Sequence, residues 1–209
     1  MTKSKKTYHH GDLRNSLIVA AEQLLEQKGG AALSLREVAK VAGVSHTAPY
    51  RHFEDKNALL VGLAVVGYGR LADEMETCVN DQPDDPSKQL SSSLHAYIAL
   101  ARKHPQMTNL IFGGVLKNLC YEGDLAVESE RAFNGLLRII LNGQEAGLYI
   151  EKETKELALL VWSIAHGFSM LITAGQMGEL SDDEKATQMM VSNMGEMIIN
   201  GIGHKNHNS

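Results

Sequence analysis

The run SLREVAKVAGVSHTAPYRHF, from Ser34 to Phe53, sets two short helical segments on either side of Gly43, and that break leaves few folds open to the chain. Ser34 and Glu37 have the spacing of a capping box, in which the serine oxygen takes the Glu37 N–H and the carboxylate returns to the Ser34 N–H. Leu35, Val38, Ala39 and Ala42 then give one apolar face, closed by Gly43. A second helix is predicted from Ser45, its N-cap, over about seven residues, too short to stand alone in water. Pro49 falls near its start, where a missing N–H costs least, and Tyr50 and Phe53 are its inward anchors. Two helices meeting through a tight turn are the helix-turn-helix geometry, whose second helix enters the major groove of DNA.

Helical periodicity continues through the rest of the chain. Residues 1–11 are lysine-rich and aperiodic, a flexible basic arm. Asp12 is the expected cap of a first helix in which Leu13, Leu17, Ala20, Ala21, Leu24 and Leu25 recur at helical spacing, up to Gly29-Gly30. Asp55 caps a helix from Lys56 that Leu59, Leu60, Leu63, Val66, Leu71 and Met75 carry to about Cys78, long enough to act as a rod. Residues 80–87 (NDQPDDPS) are a loop. Further helices are predicted over Leu90–Lys103, from Pro105 with a break at Gly113-Gly114, and over Leu125–Ala146, Thr154–Ala174 and Asp182–Gly201, with a polar tail over residues 204–209. No strand pattern is present. The expected fold is all-α with about nine helices: a three-helix head over residues 12–56, and a helical effector-binding and dimerisation body over residues 57–203.

A net charge of -5 at first argues against a polyanionic partner. The distribution matters more. Residues 1–56 carry nine Lys/Arg against six Asp/Glu, whereas residues 57–209 carry eleven against nineteen. A mildly basic head can bind a polyanion when its cations share a face. Two cysteines, Cys78 and Cys120, are too few for a disulfide framework, so a reduced, cytoplasmic protein is the simpler reading. No apolar run follows the N-terminal lysines, and no stretch reaches about 18 uncharged apolar residues, so neither a signal peptide nor a membrane span is expected.

Ser45, His46, Thr47, Tyr50, Arg51 and His52 populate the second helix of the motif. Thr47 can bond a base edge or touch a thymine methyl, and His46 can reach a base or a phosphate. Tyr50 and His52 suit backbone phosphates, as do Lys56 and the free N–H groups where the next helix begins. Arg51 suits either, and Ser34 completes the DNA-facing set. Lys3, Lys5 and Lys6 add a salt-dependent contribution, with the minor groove as one place for it. The bland alternative is a helical hairpin whose polar residues are merely solvated.

Residues 12–60 resemble the N-terminal domain of the TetR family of transcriptional regulators. The likeness is carried by the alanine-rich first helix (Ala20, Ala21, Leu24), by S-L-R-E-V-A-K-V-A-G-V-S over Ser34–Ser45, by Y-R-H-F over Tyr50–Phe53, and by Lys56 with Leu59-Leu60. It implies phosphate contacts at Tyr50, His52 and Lys56, packing at Phe53, and a nearly all-helical homodimer. For most members it also implies repression that a small molecule in the C-terminal domain relieves. Ala48-Pro49 departs from the family pattern.

In the penultimate long helix, W-S-I-A-H-G over Trp162–Gly167 resembles the Trp-His-Gly signature of one TetR C-terminal subfamily. Trp162 and His166 stand four apart and share a face. Trp162 is either core packing or a ligand contact; His166 is either an interhelical hydrogen-bonding residue or a ligand contact and charge sensor. Candidates to line an effector pocket are Tyr97, Ala101, Met107, Leu110, Ile111, Leu116, Leu137, Ile140, Leu141, Trp162, His166 and Met170, residues that would equally fill a core. Their chemistry suits a small, mostly apolar effector. The candidate dimer interface is Leu157, Leu160, Ile164, Phe168, Leu171, Met190, Met194 and Met197, pairing the last two helices with their symmetry mates as a four-helix bundle.

These features point to a ligand-responsive regulator that binds a palindromic double-stranded operator as a dimer, with recognition helices about 34–36 Å apart. Effector binding would shift the helix at Pro105–Leu116, and with it the helix from Lys56. An enzyme is the rival class. Asp124, Glu128 and His166 can be imagined as an acid–base group, yet no nucleophile and base stand at motif spacing, and no HExxH, GxGxxG or Walker loop occurs. A helical interaction module without DNA binding is the other rival. No cofactor is expected and no metal site, since His9-His10 have no third ligand near in sequence.

Overall fold

The computed structural model describes residues 10–116 and 122–203. Lys3, Lys5, Lys6, His9, Cys120 and the tail at residues 204–209 lie outside the described residues. Among those described, regular structure is helical apart from one isolated bridge between Tyr149 and Gly203. The helices are α1 (His10–Lys28), α2 (Leu35–Val41), α3 (Lys56–Asp81), α4 (Pro86–Lys103), α5 (Pro105–Phe112), α6 (Gly123–Glu145), α7 (Thr154–Thr173) and α8 (Glu184–Ile202), with single 3-10 turns at Gly30–Ala32, Pro49–Arg51 and Gly178–Ser181. The all-α expectation holds. Among the described residues there are eight α-helices, one short of nine, because the segment from Ser45 is not an α-helix. Asp12 lies inside α1, which begins at His10, so it is not the cap of that helix.

By internal packing the chain forms two compact units. One comprises residues up to Gly67 together with Gln106–Leu125; the other comprises Tyr68–Pro105 and the chain from Ala126 onward. The units do not follow the division expected between residues 56 and 57. Part of α3, and α5 beyond its first residue, belong with the head.

In the first unit Leu17, Ala21 and Leu25 of α1 are fully buried, as are Val38 of α2 and Leu59 and Leu63 of α3. Burial of this kind is worth roughly 1.5–3 kcal/mol for each large side chain. Phe53 is buried beneath the Arg14 guanidinium, which lies 5.5 Å from the ring centroid. Close helix approach depends on Gly67, where a Cβ would come within 2.9 Å of the Met107 sulfur.

In the second unit α4 packs against α7 and α8. Leu90, Leu94 and Ile98 of α4, Ala158 and Val161 of α7 and Val191 of α8 are all buried. Arg131 of α6 bonds Asp73 at 2.8 Å, Glu76 at 2.9 Å, Glu128 at 2.9 Å and the Gly69 carbonyl at 3.2 Å, fixing α6 to the second half of α3. Tyr149 is fully buried, and its hydroxyl donates to the Pro86 carbonyl at 3.1 Å. A Cβ on Gly143 would fall 2.0 Å from that ring, so only glycine fits there.

Candidate nucleic-acid interface

Ser34 sets the start of α2, its Oγ accepting the Glu37 N–H at 3.3 Å. The Glu37 carboxylate is turned instead to Lys28, whose Nζ donates at 2.8 Å. That lysine holds the Glu37 carboxyl below its usual range. The capping box is therefore half made, and the Ser34 hydroxyl is engaged in it. Gly43 closes α2 with φ 68°. The Val44 N–H reaches the Ala39 carbonyl at 3.0 Å and the Gly43 N–H reaches Lys40 at 3.2 Å, the paired bonds of a Schellman turn.

Beyond that turn the structure departs from the expected seven-residue helix. Were Ser45 an N-cap, Pro49 would be the first residue whose N–H must return to the Ser45 carbonyl, and proline has no N–H. The Ser45 carbonyl accepts the Ala48 N–H at 3.0 Å instead, and the chain tightens into a 3-10 turn at Pro49–Arg51. The Ser45 hydroxyl caps nothing; it lies 3.2 Å from the Thr47 hydroxyl. Pro49 and Phe53 are buried, whereas Tyr50 is 52% exposed. The expectation that Tyr50 anchors inward is thus corrected, with Pro49 taking its place.

Ser45, His46, Thr47, Tyr50 and Arg51 are all exposed, and His52 is half-buried. Lys56 is not a free cation, since its Nζ donates to the Ala31 carbonyl at 2.6 Å, although an ammonium keeps two further donors. The N–H groups at the start of α3 are not all open: Asp55 accepts that of Ala58 at 2.8 Å. Arg36 and Lys40, absent from the sequence-derived set, are exposed on α2. The inward positions Leu35, Val38 and Ala39 already force them outward by helical period, so the signal was present.

In the second unit the structure joins three sequence candidates. The Trp162 indole N–H donates to the Tyr97 hydroxyl at 3.2 Å, and that hydroxyl lies 3.0 Å from His166 Nδ1. Phe133, overlooked in the sequence, stands 6.1 Å from Trp162 centroid to centroid. Burial lowers the His166 pKa and pushes the Tyr97 phenol up to about 12. Ile140 is fully buried; Leu137 and Met170 are half-buried. Leu141, by contrast, is an exposed side chain and lines no interior. Met107, Leu110, Ile111 and Leu116 are buried in the first unit, so the pocket candidates divide between the two.

Residues 17–63 match the profile described as bacterial regulatory proteins, tetR family, and residues 90–194 match that of a tetracyclin repressor-like C-terminal domain. The chain belongs to the TetR family. Among curated relatives it is 29% identical over 117 residues to the nucleoid occlusion factor SlmA of Vibrio campbellii, covering 56% of this chain and 57% of that one. It is 31% identical over 96 residues to the transcriptional regulator EthR of Mycolicibacterium smegmatis, covering 46% and 44%. The chain thus spans less than two thirds of the length of these relatives. A solved structure of a Rhodococcus protein of unknown function superposes with TM-score 0.82 at 30% identity, covering 96% of this chain and all of the other. The TetR regulator PfmR of Thermus thermophilus superposes with TM-score 0.67 at 19% identity, over 88% and 97%.

TetR regulators bind DNA, generally as dimers, and the family is generally non-enzymatic. The outer side of α7 and α8 here is apolar. Leu160, Ile164 and Leu171 of α7 and Met190 and Met197 of α8 are exposed, Met197 by 75%. Leu160, Ile164, Met190 and Met197, with Phe168 and Met194, border a groove of about 620 Å³; Leu171 lies outside its lining. Leu157 differs: it is 4% exposed, so it packs within the protomer at the floor of that groove. By length and composition α7 is apolar enough to cross a membrane, with mean hydropathy 1.5. Its two apolar sides explain that figure, one facing α4 and the other the groove.

Proposed function

We propose that this chain is a ligand-responsive transcriptional regulator acting in the cytoplasm. It grips a palindromic operator as a homodimer, with one Ser45–His52 segment in each half-site. The observation that carries this reading is the run of exposed donors and acceptors (Ser45, His46, Thr47, Tyr50 and Arg51) held on a turn pinned inward by Pro49 and Phe53. Thr47 and His46 face base edges, while Tyr50 and His52 face phosphates. Arg51 takes either role, and Lys56 reaches a phosphate with a donor not used by Ala31. Ser34 acts by fixing α2, and Arg36 joins the basic rim.

Dimerisation runs through the exposed α7/α8 side, where Leu160, Ile164, Phe168, Leu171, Met190, Met194 and Met197 lose water on pairing. The mode is repression, relieved by a small, mostly apolar effector bound in the helical body.

Selection of duplexes from a random library, followed by footprinting and sedimentation, tests the proposal. The expected result is a palindromic site protected by two copies, with log K falling linearly against log salt. A stable dimer that binds no duplex would favour an interaction module instead. A thermal-shift screen of small hydrophobic compounds finds the effector class.

A further inference from the structure

Among the described residues, five helices carry their own N-terminal cap. Ser34, Asp55, Asp85, Glu153 and Asp183 each accept the N–H three residues on, opening α2, α3, α4, α7 and α8. Helix α5 is different. The residue before it, His104, gives its own N–H to Leu100 at 2.9 Å, and Pro105 has none to give. The next two donors go to a residue of another helix. Glu26 of α1 accepts the Gln106 N–H at 3.1 Å and the Met107 N–H at 3.0 Å, one on each carboxylate oxygen, across 80 and 81 residues of chain.

A local cap holds a first turn wherever the helix lies; a borrowed one holds it only in contact with the lender. A carboxylate accepting two N–H groups at a helix N-terminus is also among the stronger polar contacts, because charge and helix dipole add. The place is specific as well. The chain leaves the first unit after Gly67 and re-enters it at Gln106, and Met107 packs on Gly67 so closely that a Cβ there would displace its side chain. Glu26 therefore grips α5 where the chain re-enters the first unit, at Gln106 and at the Met107 that packs on Gly67.

We propose that Glu26 is a latch that makes the first turn of α5 conditional on α1, so that any displacement or unwinding of α5 is felt by the DNA-binding head. Glu26 is a positioning residue and touches no DNA itself. The inference rests on the DNA-binding reading above.

The test uses the full chain as wild type, Glu26→Gln, Glu26→Ala and the double variant Glu26→Ala with His104→Asp, which supplies α5 with a local cap. Amide exchange at Gln106 and Met107 is measured alongside affinity for the duplex that the wild type selects from the random library. In Glu26→Ala, exchange at both amides is expected to quicken about tenfold or more, and duplex affinity to fall about fivefold or more. Glu26→Gln falls between, since one amide oxygen replaces two carboxylate oxygens. In the double variant, restored protection with affinity still low supports the latch. Failure of the local cap to restore protection also supports it, because α5 then depends on α1. Recovery of both properties would reduce Glu26 to an ordinary cap and overturn the proposal, as would unchanged affinity in Glu26→Ala. If the wild type selects no duplex, the DNA reading fails, and the exchange data alone decide whether α5 depends on Glu26.

Discussion

The Tyr97 hydroxyl stands 3.0 Å from His166 Nδ1 while accepting the Trp162 indole N–H at 3.2 Å. An indole can only donate, so the phenol oxygen is its acceptor, whereas the direction of the phenol–imidazole bond follows the tautomer of His166. The phenol thus links two residues of α7 to α4 through two hydrogen bonds.

Removing that link has a definite cost. Tyr97→Phe leaves the Trp162 N–H and His166 Nδ1 without this partner in a largely buried place, and is expected to cost about 1–3 kcal/mol. Urea denaturation reads it as a lower midpoint at unchanged slope. A midpoint equal to wild type would show that the chain of bonds adds nothing to stability.

Stability should also depend on pH in a predictable sense. Burial lowers the folded-state pKa of His166 and of His95 from the ordinary 6.5. The unfolded chain therefore takes up protons first as pH falls, and it is favoured by doing so. The stabilising contribution is complete above about pH 6.5, declines as pH falls through the lowered folded values, and then levels off. Replacing His166 with Gln should remove its share of the decline, measured as urea midpoint between pH 7 and pH 5, and leave that of His95.

Much of this architecture was legible in the sequence. Apolar periodicity fixed the long helices, since each needs a buried stripe, and Gly43 and Asp55 carried their turn and cap chemistry openly. The failure at Ser45–Phe53 came from one position. Proline is harmless where N–H groups have no partner in any case, and Pro49 falls just past that range, so the expected helix lost its first bond. The Tyr97–Trp162–His166 chain was half legible: spacing put Trp162 and His166 on one face, but no local pattern shows which phenol arrives from a helix about 65 residues away. The long-range cap at Glu26 was invisible for the same reason.

Restoring the missing donor tests the explanation for the short turn. Pro49→Ala is expected to let the Ser45 carbonyl accept a bond from residue 49 and to extend the turn toward an α-helix. The new amide should show slowed hydrogen exchange. The cost should stay near 1 kcal/mol, from the buried ring that is lost. A rapidly exchanging amide at position 49 would mean that something other than proline enforces the 3-10 geometry.

The apolar side of α7 and α8 separates two kinds of leucine. Leu160→Glu or Met197→Glu should leave the protomer folded, with near-native circular dichroism, and shift sedimentation from dimer to monomer. Leu157→Ala should instead destabilise the protomer itself by about 2–5 kcal/mol, because it empties a buried site. Dimers that persist in both glutamate variants would place the pairing surface elsewhere.

Contacts to DNA should sort by charge. Tyr50→Ala is expected to weaken binding to all duplexes without changing the salt slope, since a phenol releases no counterion. Lys56→Ala should lower that slope by about one, and Thr47→Ala should mainly change which bases are preferred. Competition binding across a mutated operator set, at several salt concentrations, distinguishes the three. Equal and unselective losses would remove the division of roles.

The first unit is assembled from two stretches of chain that are far apart in sequence, residues up to Gly67 and those from Gln106 to Leu125. A recombination event with one breakpoint, for instance after α3, would hand a new host the reading segment without Met107, Leu110 and Ile111, which close its interior. Such a hybrid inherits an open core and depends on its new neighbour to fill it. A hybrid of this kind is expected to fold stably only in a host that brings a matching α5.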